Sequence, residues 1–135
     1  SDLGGNTFKS MIRDLSLDYP DFLIASSEWF AFIPAKEYFD EPGDHADELE
    51  TSVMMHYHPE LVNLDEAGDG NYKKFASQML NEKVAWIPRN WQNVSQDTGI
   101  GNPKKASAGK GKKYAEAVVA KYALLFEELV HKELY

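Results

Sequence analysis

Two short apolar runs, Phe22-Leu23-Ile24-Ala25 and Val84-Ala85-Trp86-Ile87, limit this chain's architecture more than any other feature. Each is bounded by turn residues or proline and lies next to helical patterns, so strand is the better reading than buried helix. Strands interleaved with helices predict an α/β fold with a mainly parallel sheet flanked by helices. Two or three strands make a thin sheet whose edge something must cover. The sheet is therefore expected to be completed elsewhere, by a homo-oligomer or a second chain.

The helical patterns are clearer. Phe8, Met11, Ile12 and Leu15 recur on one helical face. Asn6 or Thr7 is the expected cap, and Tyr19-Pro20 the stop. A second helix is predicted from Glu48 to Tyr57, and a third with Tyr72, Phe75 and Met79 inward. The last runs from Lys113 to Glu133, with Tyr114, Val118, Tyr122, Leu125, Phe126 and Leu129 as its stripe. Trp29–Phe39, broken by Pro34, reads as an irregular excursion that serves either core or pocket wall. The Lys104–Lys113 run reads as a solvated, mobile loop.

At 135 residues the chain is expected to form one domain. A net charge of −8 argues against nucleic acid and anionic membranes as partners. The absence of cysteine excludes disulfides, thiolate zinc sites and cysteine nucleophiles, and fits a cytoplasmic location. No signal peptide or membrane-spanning run is evident.

The segment Gly43-Asp44-His45-Ala46-Asp47-Glu48-Leu49-Glu50-Thr51-Ser52 holds four carboxylates and one histidine. Two readings of it stand. Asp47 with Glu50 three residues on is a capping-box-like helix start, and Asp44 and Glu48 suit the positive helix end. A helix start does not, however, require four acids around a histidine. Such a set also suits Zn²⁺, Mn²⁺ or Fe²⁺.

His45-Ala46-Asp47-Glu48-Leu49-Glu50-Thr51-Ser52, with Pro59-Glu60-Leu61-Val62, resembles the H-A-x-x-x-E-T-S…P-E-L-V motif of the creatininase (creatinine amidohydrolase) family. Gly4-Gly5-Asn6 resembles the end of the family's N-G-H-G-G-N segment. Asp97-Thr98-Gly99-Ile100-Gly101-Asn102-Pro103, followed by Ala106-Ser107 and Lys110-Gly111, resembles its late T-G-x-x-G-x-P…A-S…K-G segment. The resemblance implies a divalent-metal amidohydrolase (Zn, Mn or Fe) acting on a small amide C–N bond, cyclic amides included. The implied fold is a partial three-layer creatininase-like one, residues 1–135 resembling its C-terminal portion without the N-terminal part. By motif position His45 would move the proton and Asp44 would orient its ring. Glu50, and less strongly Glu48, would be metal ligands or support them. Trp86 and Trp91, flanking a loop beyond a strand, are candidates for a substrate-pocket wall.

The resemblance has departures. The family's upstream E-x-H ligand segment has no counterpart here, and Leu3 stands where the family has a ligand histidine. A catalytic metal site needs about three protein ligands and an open position. The expectation is that a second chain supplies the rest, or that the chain is a non-catalytic relative serving binding or assembly.

Overall fold

The computed structural model describes residues 5–133 and residue 135. Leu3 and Gly4, where the resemblance begins, lie outside them. Among the described residues five α-helices carry the fold: α1 (Gly5–Asp18), α2 (Glu48–Tyr57), α3 (Gln78–Asn81), α4 (Trp91–Val94) and α5 (Ala108–His131). Short 3-10 turns fill several of the connections. Among the described residues no helix is long and apolar enough to cross a membrane.

α2 takes the bounds its sequence predicts because its start is fixed locally. Asp47 caps it, accepting from the Glu50 N–H at 2.8 Å. The other Asp47 oxygen accepts from the Gly43 N–H at 2.5 Å, which folds the approach loop onto the cap. Glu50 reaches back to the Ala46 N–H, one residue beyond the usual capping-box partner. α5 begins earlier than predicted because Ser107 is a cap, accepting from the Lys110 N–H.

The core forms where α2 crosses α5. Phe39, Leu49, Tyr114 and Val118 are buried there, with Trp29, Phe32, Tyr38 and Tyr122 packed around them. Tyr114 is fully buried. Trp29, Tyr38 and Phe39 meet its ring edge-on. Its hydroxyl reaches the carbonyls of Phe30 and Ile33 at 3.1 and 3.2 Å. Burial pushes its pKa above the ordinary tyrosine value. The 29–39 excursion is thus core. Gly111 lets the helices touch, because a Cβ there would overlap the Ser52 carbonyl. Ser52, also fully buried, accepts from the Ser107 N–H at 3.1 Å.

Several expectations are corrected. The described residues form no strand, only two isolated antiparallel bridges, His45 with Ile100 and Tyr72 with Ser95. The parallel sheet predicted from the runs 22–25 and 84–87 is not seen among the described residues. A strand exists only through its ladder, and neither run pairs with another described segment. Most of their apolar side chains stand in solvent, Ile24 being half-buried: Phe22 is 69% and Val84 70% exposed. The third helix is only one turn, 78–81. The Asn81 side chain bonds the Phe75 N–H and the Phe75 and Ser77 carbonyls, taking the backbone groups a longer helix would use. On α5 the buried stripe ends after Val118, and Phe126 is 61% exposed. The basic run is not a loose loop either: Lys110, Lys112 and Lys113 lie in α5.

Candidate functional site

His45 sits at the turn before α2, and backbone bonds fix its place. Its N–H and carbonyl pair with Ile100 at 3.1 and 2.8 Å, and the neighbouring Asp44 N–H also reaches the Ile100 carbonyl. Ala46 takes a positive φ of 49°, which turns the chain from the bridge into the helix start. Glu50, on the first turn of α2, returns to the loop. Its Oε2 accepts from the Ala46 N–H at 2.7 Å and lies 3.5 Å from His45 Nδ1. That separation is long for a hydrogen bond and close enough for a charge to act on the ring. The side chains are 40% and 34% exposed, so a solute reaches both.

Trp91, the first residue of α4, meets the His45 ring edge-on with centroids 5.2 Å apart. The Arg89 guanidinium lies over the Trp91 ring, 5.7 Å from its centroid, and pairs with the Asp44 carboxylate. Asp44, expected to orient the His45 ring, places its carboxylate on Arg89, and the acid beside the ring nitrogen is Glu50. Arg89 was not singled out from sequence. The signal was modest: one of only two arginines, placed two residues before a tryptophan. Arginine's planar head suits both an aromatic face and a carboxylate.

Glu48 is placed elsewhere. It is fully buried. Oε1 takes the Lys110 ammonium at 2.5 Å and Oε2 the Glu41 N–H at 2.6 Å. Lys110 also binds Asp40 and the Lys105 carbonyl, and Lys105 pairs with Glu41. The hydrogen bonds from these lysines hold the Asp40 and Glu41 carboxyls below their ordinary pKa values, and push Lys105 and Lys110 above theirs. Glu48 therefore belongs to an ion-paired clamp between the 40–48 loop and α5. Trp86 is 60% exposed, with no ring contact to His45 among the described residues.

A cleft of about 430 Å³ opens beside α2, large enough for a small molecule. Ala46, Glu50, Thr51 and Met54 form one wall, and the loops 61–70 and 97–103 supply the others. Glu50 belongs to both the cleft and the histidine pair. Gly70, with a φ of +68°, lets the two loops close against each other, since a Cβ there would strike the Gly101 carbonyl.

The donor set decides what the site holds by itself. Among the described residues no group of three histidine or acidic side chains converges to hold a metal ion. His45 and Glu50 make two donors, one fewer than a catalytic site normally draws from protein. These residues alone do not fit a catalytic metal.

With this geometry in place, the similarities to known proteins can be compared with it. The family model described as Creatininase: Creatinine amidohydrolase matches residues 4–126. No curated protein matches the chain. A crystal structure of a Bacteroides fragilis NCTC 9343 protein, provisionally named a creatinine amidohydrolase, superimposes with a TM-score of 0.90 at 60% identity. The match covers 98% of this chain and 53% of that one, so this chain spans about half the length of that relative.

Proposed function

The chain belongs to the creatininase (creatinine amidohydrolase) family, and from that premise we propose that it hydrolyses the C–N bond of a small amide, with His45 moving the proton. The name carried by the Bacteroides fragilis relative makes creatinine-like cyclic amides the first substrates to try. The observation that carries the reading is the His45–Glu50 pair, exposed beside a cleft of small-molecule size.

Amide hydrolysis needs a proton taken from water and one delivered to the departing nitrogen, which is work for an imidazole near neutral pH. The Glu50 carboxylate beside Nδ1 favours a proton on that nitrogen. Nε2 is then left to accept a proton and pass it on. The Ala46 N–H fixes Glu50 Oε2, and the edge of Trp91 restrains the ring. With His45 kept for the proton, a divalent metal of the kind the family uses (Zn, Mn or Fe) would find Glu50 as a donor here, and would need its further ligands from outside the described residues. We propose that a second polypeptide segment supplies them. A bound metal would supply charge to polarise the amide.

The test follows release of amine, ammonia or ring-opened product from a panel of small amides, with Zn²⁺, Mn²⁺ or Fe²⁺ added. The chain is assayed alone and mixed with the part of the Bacteroides fragilis protein it does not cover. The expected result is cation-stimulated hydrolysis in the mixture that falls roughly 10²- to 10⁴-fold in His45→Gln. A His45→Gln protein that turns over at the parent rate refutes the role of His45. A mixture that hydrolyses nothing under any metal refutes the activity.

A further inference from the structure

We propose that Arg89 is a positioning residue for His45, acting through Trp91 as one side of a closed circuit of contacts. The inference rests on the reading of His45 given above. The circuit runs from Asp44 to Arg89 by an ion pair and from Arg89 to Trp91 by stacking. It continues from Trp91 to His45 by an edge contact, and returns to Asp44 through the chain.

The need for Arg89 comes from α4. That helix has four residues, and its cap position, Asn90, makes no side-chain capping bond. A helix this short has no stability of its own. Its far end is tied down: the Lys73 N–H bonds the Val94 carbonyl at 2.8 Å, and Tyr72 bridges Ser95. Its near end carries Trp91, whose ring meets Arg89 on its face and His45 at an edge. With the far end pinned, loss of the Arg89 contact leaves Trp91 at the free end of a short lever. Arg89 suits the task because one planar head covers the indole face and grips a carboxylate. Its side chain is 22% exposed and that of Asp44 51%, so solvent reaches the pair mainly from the carboxylate side. Asp44 and His45 are adjacent, which makes the ion pair a direct link from the indole clamp back to the histidine's own loop.

The experiment reads the His45 ring protons by NMR in the 135-residue chain, without metal or substrate. The Trp91 ring current displaces those signals, and Trp91→Leu gives their value without it. Arg89→Met is expected to move them most of the way to the Trp91→Leu value, while the α2 and α5 amide signals stay in place. Arg89→Lys should fall between, since it keeps the charge and loses the plane. Asp44→Asn should move the signals in the same direction, and adding Arg89→Met to it should take them no further than Arg89→Met alone. His45 signals unchanged in Arg89→Met overturn the proposal. If Arg89→Met does not fold, the exposed substitution Asp44→Asn decides, and an unmoved His45 there overturns it. Because nothing is hydrolysed in the tube, a failed amide assay leaves this result standing, and the reverse also holds.

Discussion

The α2–α5 crossing and the apolar runs outside it are built from the same residue types and end in opposite environments. At the crossing, Tyr114, Leu49 and Val118 lie at 0%, 5% and 5% exposure, and no buried side-chain polar atom among the described residues lacks a partner. In the runs, Leu23 and Trp86 stand at 56% and 60%. Composition does not separate the two. A helix pair closes its backbone bonds internally and needs only one apolar face covered, whereas a strand leaves its backbone open until a neighbour arrives. The candidate site stands on the finished side of this divide.

Substitutions at the crossing should be the costliest. Tyr114→Ala should destabilise by about 3–5 kcal/mol in chemical denaturation, from lost burial and the cavity left behind. Gly111→Ala should cost about 1–3 kcal/mol, because the new methyl meets a carbonyl instead of a flexible side chain. Ser52→Ala strands the half-buried Ser107 N–H and should cost about 1–3 kcal/mol.

Acid should separate the regions next. Asp40 and Glu41 have lowered pKa values when folded. Their contribution is whole above the ordinary carboxylate range, and is lost as pH falls through the lower folded values. Lys105 and Lys110 have raised values, so theirs is whole below the ordinary lysine range and lost as pH climbs through the raised ones. Thermal midpoints should be level between roughly pH 5 and 9 and fall in stronger acid. Asp40→Asn with Glu41→Gln should flatten the acid fall. The smallest effect belongs to the runs: Leu23→Ser or Val84→Ser should change stability by no more than about 0.5 kcal/mol. A larger loss would mean these side chains already have a partner in the folded chain.

What could be read from the sequence divides along the same line. The Asp47–Glu50 capping signal and the stop at Pro59 are both local, and they placed α2 at its observed bounds. The 3.6-residue stripe found α5 but overstated its buried length, because periodicity marks a face and not what covers it. The runs 22–25 and 84–87 carried a strand signal whose fulfilment depends on a distant partner. At the site, residue types gathered Asp44, His45, Glu48 and Glu50, and only the family resemblance gave them separate roles. Glu48 and Glu50 lie about 200° apart around a helix, so only one can face His45. The sorting was set by Lys110 and Arg89, 62 and 45 residues away from the acids they hold. No spacing rule reaches that far.

Amide hydrogen exchange on the 135-residue chain is the most direct test that the candidate site rests on a finished scaffold. The amides of Gly43, His45, Glu50 and Ile100, each bonded within the site, should exchange slowly along with those of α2 and the first half of α5. Leu23–Ser26 and Ala85–Ile87 should exchange at nearly the rate of an open chain. Site amides that exchange as fast as those runs would contradict the account, since the histidine and its carboxylate would then have no fixed frame to stand on.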